Sequence, residues 1–281
     1  YIEPVTPLSH SKEVMAQTIW GAKHNLPTIY TPMPSAGAVS PMTLAGSIAL
    51  GLAESLTGIT LAQLVNEGAP MITGGIYSIL DMKTSGFVYG GPEFALMNGA
   101  VAEMSNYLDL PMFGTAGVTD SKLVDTQAAI EATFNIATQS LAGSNLIHDV
   151  GYLASGLLYS YDQLVMSDEI IGMVKRIMKG IDTSGDNIPL DLINEVGPKG
   201  NFLNTSHTMD NFKKEHWQPS LMDRTNFDNW KKNGEKSMGD RIKEKRNEIL
   251  DNYEADVLEE AKQEKLDEII EEEREKRDVK Y

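Results

Sequence analysis

Side chains that could do chemistry stand directly after short apolar runs of this 281-residue sequence. Aromatic faces can hold a quaternary ammonium ion by cation–π attraction, although a buried structural role is the alternative for any tyrosine. Glycine permits close approach of a ligand or a partner molecule, or simply a tight turn. The candidates are Tyr30, Tyr77, Tyr89, Glu93, Gly114, Thr115, Gly117, Asp120 and His148.

His148 is followed by Asp149 and is the one histidine within the apolar runs. It could hydrogen-bond a substrate carboxylate, or it could be a satisfied core histidine. The other four histidines show no metal-binding spacing such as HExxH, and the chain has no cysteine. The G-x-S-x-G of a hydrolase elbow and the GK[ST] of a P-loop are also missing from the sequence. We therefore expect no metal site and no nucleotide hydrolysis.

Five short apolar runs alternate with longer amphipathic stretches, which is typical of parallel βα units. The runs cover residues 1–6, 27–32, 70–75, 111–117 and 145–151, and helices are predicted near 11–25, up to 66, from 92, and over 121–142, 161–180 and 190–196. Because barrel active sites lie at the carboxyl ends of strands, the pattern favours part of a (β/α)8 TIM-type barrel. A doubly wound open sheet is the alternative, but no G-x-G-x-x-G joins a strand to a helix.

Five strands do not close an eight-stranded barrel, and the first run begins at residue 1. We therefore expect this chain to lack the first βα units of the barrel. Barrel units are predicted over residues 1–198, and a polar, aromatic arm packed on them over 199–239. Residues 240–281 are predicted to form a single charged helix.

The composition narrows the class of partner. The formal net charge of −16 argues against nucleic acid and anionic membranes. No apolar run reaches the ~18 residues of a membrane span, and no signal peptide is visible, so a cytoplasmic protein is expected.

Several segments at the predicted strand ends resemble the trimethylamine methyltransferase family. They are residues 89–95 (YGGPEFA), 111–122 (PMFGTAGVTDSK) and 145–151 (NLIHDVG), supported by 4–8 (PVTPL) and 32–38 (PMPSAGA). The match covers roughly residues 1–250 and corresponds to the C-terminal part of the family chain.

The resemblance implies a TIM barrel that demethylates a methylated amine and passes the methyl group to the Co(I) corrinoid of a separate protein. Archaeal trimethylamine enzymes carry pyrrolysine in the stretch that matches 114–121, whereas here every residue is an ordinary amino acid. This is similar to the branch without pyrrolysine, which includes glycine betaine methyltransferases. The resemblance thus implies a quaternary amine substrate and a place in methylamine metabolism, including methanogenesis.

The resemblance also suggests roles for the candidates. Glu93 and His148 are predicted catalytic residues, and Tyr30, Tyr77, Tyr89 and His148 are predicted to bind substrate. Gly114, Thr115, Gly117 and Asp120 are predicted to face the corrinoid, which the partner protein supplies. We expect no metal, no tightly bound cofactor, and a homo-oligomer. The alternatives are a TIM-barrel lyase or aldolase, and a non-catalytic barrel fragment that docks a partner.

Overall fold

The computed structural model describes residues 1–254 and 257–277, and its centre is a parallel sheet. The strands are β1 (Thr28–Tyr30), β2 (Ser35–Ala36), β3 (Met71–Gly74), β4 (Ser78–Asp81), β5 (Gly86–Phe87), β6 (Met112–Thr115), β7 (Leu146–His148), β8 (Tyr152–Leu153) and β9 (Leu158–Tyr159). Four of them form the parallel sheet in the order β1-β3-β6-β7. The short strands form a three-stranded sheet, β2-β4-β5, and a hairpin, β8-β9. The predicted α/β class with a parallel sheet is confirmed.

The α-helices of the described residues lie before, between and after the strands. They are α1 (Lys12–Lys23), α2 (Leu44–Val65), α3 (Pro92–Tyr107), α4 (Thr126–Leu141), α5 (Tyr161–Met178), α6 (Leu190–Val196), α7 (Ser206–Glu215), α8 (Phe227–Lys232), α9 (Met238–Asn252) and α10 (Glu260–Arg277). Side-chain caps fix several starts: Ser11, Asp125 and Ser160 accept backbone N–H groups of α1, α4 and α5. Pro92 opens α3, where its missing N–H costs nothing.

The two faces of the parallel sheet differ in burial. Tyr30, Thr73 and Met112 are paired across neighbouring strands and are buried on the face covered by helices. There Tyr30 packs in one cluster with Ile59 and Ala62 of α2. The alternate residues point the other way and remain partly or largely exposed: Ile29, Ile72, Phe113 and Leu146. One face of the sheet is therefore apolar and accessible.

The strand predicted over residues 1–6 is not formed, and a single β-bridge to the parallel sheet remains in its place. Ile2 forms one parallel bridge to Tyr30 and does not extend into a strand. The bridge still continues the parallel order beyond β1. By the alternation of strand residues, Tyr1 and Glu3 lie on the face opposite to the buried Ile2.

The C-terminal third differs from its prediction in two places. The polar, aromatic arm, for which no helices are predicted, contains α7 and α8. The tail, predicted as one helix, is divided into α9 and α10, while residues 255–256 and 278–281 lie outside the described part of the chain. Residues 1–243 and 244–281 form two separate compact units. The predicted boundaries at 198 and 239 stay predictions.

Glu169 of α5 attaches the arm to the helical layer. Its buried carboxylate accepts N–H groups of Ser220, Leu221 and Met222 and the Ser220 hydroxyl at 2.6–3.1 Å. Leu221 is itself buried in the core cluster around α4 and α5. One carboxylate thus holds a segment that has no helix or strand of its own.

Among the described helices, α2 alone is long and apolar enough to cross a membrane by length and composition. Core helices pass the same test. The buried Glu54 of α2 accepts the Thr6 hydroxyl at 2.9 Å and the Leu8 N–H at 2.5 Å. Helix α2 also packs against β1 and β3, which fits a helix of the protein core.

Candidate functional site

The imidazole of His148 is oriented by three neighbours at the carboxyl ends of β6 and β7. Nδ1 lies 2.7 Å from Asp149 Oδ1, and Nε2 lies 2.9 Å from Thr115 Oγ1. The ring stacks on Phe113 with centroids 4.0 Å apart and an interplanar angle of 13°. An ionised carboxylate only accepts, so the Asp149 bond requires a proton on Nδ1. In the neutral ring Nε2 then accepts from the Thr115 hydroxyl.

Strand register and one unusual backbone conformation produce this arrangement. Thr115 and His148 are direct partners in the parallel β6-β7 pair, so their side chains share the accessible face. Asp149 follows the strand end with a φ of 74°, the left-handed region that aspartate tolerates better than most residues. This conformation allows the carboxylate of Asp149 to reach the ring of its sequence neighbour.

Two residues near the start of the chain complete the cluster. The Tyr1 hydroxyl donates to Glu3 Oε1 at 2.7 Å, and the Tyr1 ring meets Phe113 edge-on at 5.8 Å. Sequence reasoning missed both residues. The signal was present in the alternation of residues 1–3, because a buried Ile2 places its neighbours on the opposite face.

Tyr89 lies in the field of three carboxylates. Burial raises the pKa of the Tyr89 phenol, and the negative charges of Asp149, Glu3 and Asp120 raise it further. The ring also packs beside Phe94, with centroids 5.3 Å apart. We call the resulting group the strand-end site, and it consists of Tyr1, Glu3, Tyr89, Phe113, Thr115, His148 and Asp149.

Asp120, predicted to face the corrinoid, organises a loop beside the strand-end site. Its carboxylate accepts the N–H groups of Tyr89 and Gly90 at 3.0 and 2.8 Å and the Ser155 hydroxyl at 2.7 Å. These bonds set the position of the Tyr89 backbone. The contact to a corrinoid stays a prediction.

The predicted catalytic residue Glu93 lies at the first turn of α3 and is half-buried. A Cβ placed on Gly91 would lie 3.1 Å from its Oε2, so the carboxylate folds back over the start of its own helix. A carboxylate is stabilised there by the helix dipole. This position explains Glu93 without a catalytic role, and that role stays a prediction.

Tyr30 and Tyr77 are not brought to the strand-end site. Both are fully buried on the helix side of the sheet, where Tyr30 Oη lies 2.6 Å from His10 Nδ1 and Tyr77 packs on Gly51. Both therefore pack as core residues in this chain, and their predicted role in binding substrate stays a prediction. Tyr89 is the one predicted tyrosine that lies at the site.

The smallness of Gly114 and Gly117 is explained by packing inside this chain. A Cβ on Gly114 would lie 2.4 Å from the side-chain oxygen of Gln139, on the helix side of β6. Gly117 has a φ of 85°, and a Cβ there would lie 2.6 Å from Val150. Both are buried, so their contact with a corrinoid also stays a prediction.

The strand-end site combines acidic and aromatic groups around an oriented histidine. Glu3 and Asp149 supply negative charge, and the rings of Tyr1, Tyr89 and Phe113 supply aromatic faces, a combination suited to an organic cation. Among the described residues no group of three or more His, Asp or Glu side chains is arranged to hold a metal ion. The chemistry favoured here is the binding of a small cation with a hydrogen-bonding imidazole beside it.

Comparison with known proteins identifies one family across nearly the whole chain. The family model described as trimethylamine methyltransferase (MTTB) matches residues 1–278. The trimethylamine methyltransferase MttB of Desulfitobacterium hafniense (strain DSM 10664 / DCB-2) is 35% identical over 272 residues, covering 96% of this chain and 54% of that protein.

Two further relatives are named for two different substrates. The glycine betaine methyltransferase of Desulfitobacterium hafniense (strain Y51) is 36% identical over 232 residues, covering 82% of this chain and 48% of that protein. The trimethylamine methyltransferase MttB of Methanosarcina barkeri (strain Fusaro / DSM 804) is 34% identical over 260 residues, covering 91% and 52%. The chain spans about half the length of the curated relatives it matches.

Proposed function

Since this chain belongs to the trimethylamine methyltransferase family, we propose that it forms part of a methyltransferase that acts on a quaternary amine. The methyl acceptor in this proposal is the Co(I) corrinoid of a separate protein, which supplies the nucleophile. The single observation that carries the proposal is the strand-end site, where Asp149 and Phe113 orient His148 and where Glu3, Tyr1 and Tyr89 add acidic and aromatic groups. Such a site attracts an organic cation. A substrate carboxylate can accept a hydrogen bond from His148 Nε2 when the ring carries a second proton, since in the neutral ring this nitrogen accepts from Thr115.

The chemistry of a quaternary amine fits the groups present. When the carbon–nitrogen bond breaks, its electron pair stays on nitrogen, so no proton is needed and the positive charge disappears. Bare carboxylates would then favour the ground state over the transition state. In the strand-end site Glu3 accepts the Tyr1 hydroxyl and Asp149 accepts from His148, which weakens both negative charges. Positioning by aromatic faces is therefore the main contribution expected from this chain.

We propose that the parallel sheet is part of a closed (β/α)8 barrel with the strand-end site at its carboxyl end. The accessible apolar face of the sheet supports this, because the interior of such a barrel is filled by side chains from all strands. Phe113 and Leu146 on this face are partly and half exposed. Further strands would bury them. We also propose that this protein forms a homo-oligomer.

The experiment mixes this chain, extended to the full length of its relatives, with a reduced corrinoid protein and a panel of amines, and follows the loss of Co(I) absorbance. We expect turnover with glycine betaine or another quaternary amine and little with trimethylamine. Turnover with trimethylamine alone, or a lack of methyl transfer from every amine, would contradict the proposal. Binding of each amine by calorimetry gives a readout that needs no corrinoid.

His148→Ala tests how the substrate is held. We expect it to weaken the binding of carboxylated betaines about tenfold more than that of choline, because a ring with both nitrogens protonated donates Nε2–H to a carboxylate, which choline lacks. Equal losses for both ligands would remove the carboxylate-anchor role from His148.

A further inference from the structure

Helices α2, α3 and α4 carry unusually few charged side chains for helices that reach the surface. Across all three there are four, namely Glu54, Glu93, Glu103 and Glu131, and none is basic. Glu54 is also fully buried. By comparison, the 18 residues of α5 alone include five charged side chains. Depletion of charge is typical of surface that is covered by another protein.

Exposed apolar residues form a stripe along α3 and another along α4. On α3 they are Leu96, Met104 and Tyr107, and on α4 Ile130, Phe134 and Leu141, with exposures from 38% for Met104 to 82% for Tyr107. Offsets of 4, 8 and 11 residues keep each set on one side of its helix. Because α3 packs against α4, we take the two stripes together as one apolar surface. We call it the α3-α4 ridge.

An apolar groove lies on α2, which packs on the other side of α3. It runs between α1 and α2, has a volume of about 420 Å³, and is lined mainly by Met15, Leu56, Leu61 and Leu64. Leu64 at its edge is 81% exposed. A surface that carries both an apolar ridge and an apolar groove can pair with a copy of itself.

The apolar area is large enough for a stable interface. The six side chains of the α3-α4 ridge expose roughly 700 Å², taking about 150–250 Å² for a fully exposed large side chain. A specific interface buries about 800 Å² on each partner. The ridge with the groove reaches that size, and Glu103 is the exposed charge on the same side of α3.

We propose that the α3-α4 ridge and the α1-α2 groove form the contact with a second copy of this chain. Permanent homo-oligomeric interfaces are more apolar than transient ones, which resemble ordinary protein surface. The accessible charges on α3 and α4 are all acidic, which opposes binding to an anionic membrane. The assignment names the surface for the proposed homo-oligomer and does not depend on methyl transfer.

The test is the oligomeric state of the full chain by sedimentation velocity over a range of concentrations. We expect a discrete oligomer for the unmodified protein. Tyr107→Glu and Phe134→Glu each place a charge in the centre of the ridge, and we expect each to weaken assembly about 100-fold or more. The matched control is Ile181→Glu, which puts the same charge on an 86% exposed residue outside these helices and leaves assembly unchanged.

Three results would overturn the assignment. The first is a monomer at every concentration for the unmodified protein. The second is an oligomer that resists both ridge variants but dissociates with Ile72→Glu, which would place the contact on the accessible sheet face. The third is flotation with anionic lipid vesicles that the ridge variants abolish. Circular dichroism and thermal midpoints within a few degrees of the unmodified protein establish that the variants fold.

Discussion

His148 and Asp149 are neighbours in the sequence, yet their side chains meet at 2.7 Å. Consecutive residues of a strand point to opposite faces, so this contact requires the chain to turn directly after β7. The φ of 74° at Asp149 provides that turn. A residue in a sparsely populated conformation thus lies at the centre of the strand-end site, where such conformations are often found.

Removing the charge of Asp149 should weaken the site without reshaping it. Asp149→Asn retains a side chain that tolerates positive φ but loses the negative charge, and it leaves only a neutral amide oxygen to accept from Nδ1–H of His148. We expect about tenfold weaker binding of a quaternary amine, measured by calorimetry, and faster exchange of the imidazole proton in NMR spectra. Asp109→Asn, another aspartate at positive φ, is the control and should change neither. Unchanged affinity in Asp149→Asn would contradict the role of this carboxylate.

Glu169 should stabilise the fold in a pH-dependent way. Burial by itself raises the pKa of Glu169, but the hydrogen bonds from Ser220, Leu221 and Met222 outweigh it and lower the pKa below its usual value. A group with a lowered pKa contributes stability above its unfolded pKa of about 4.3, and the contribution is lost as the pH falls through the folded pKa.

Glu169→Gln should therefore reduce the free energy of unfolding by about 1–3 kcal/mol at pH 7, with a smaller difference below pH 4. Urea unfolding at the two pH values measures both quantities. The control Glu195→Gln, on an exposed side chain of α6, should be neutral at both. A difference that stays constant with pH would mean that the carboxylate charge is not involved.

Tyr30 should make the protein sensitive to alkali. Burial, and secondarily the charge of Glu54, raises the pKa of Tyr30 to about 12. The unfolded chain ionises this phenol near pH 10, so stability is full below pH 10 and declines as the pH rises through 12. The decline from this group is on the order of 2 kcal/mol.

Tyr30→Phe should lessen the alkaline decline, measured as the free energy of unfolding from pH 9 to 11.5. Tyr253→Phe is the control because Tyr253 is largely exposed. If the free energy of unfolding declines equally steeply in both variants, the pKa of Tyr30 is not raised in the folded protein.

Gly58 of α2 should be irreplaceable even though glycine disfavours helices. A Cβ there would lie 2.6 Å from ring atoms of the buried Tyr30, so Gly58→Ala must displace the ring. We expect a loss of about 1–3 kcal/mol by urea unfolding, despite a propensity gain of about 1 kcal/mol.

Gly172→Ala in α5 is the matched control, because its Cβ would lie 3.4 Å from the nearest atom, in the ring of Trp217. We expect it to be neutral or stabilising by up to about 1 kcal/mol. If both alanines stabilise the protein, the close fit of Tyr30 on Gly58 is not real.

The sequence by itself determined the order of elements and where chemistry collects. Four of its five apolar runs became strands of the parallel sheet, because continuous apolar residues suit a sheet covered by helices. It also determined that polar groups stand after the strands, among them His148 and Tyr89. The resemblance to the family was visible in the sequence as well, and the comparisons confirm that the chain belongs to it.

Only the tertiary structure decided which side of the sheet each candidate faces. Tyr30 and Tyr89 look alike in the sequence, but the first is buried beneath α2 and the second lies among the carboxylates of the strand-end site. A shift of one residue in register reverses the face of every side chain, and apolar runs do not reveal that register. Tyr1 and Glu3 became visible as site residues once the bridge of Ile2 to Tyr30 fixed the register of the first segment.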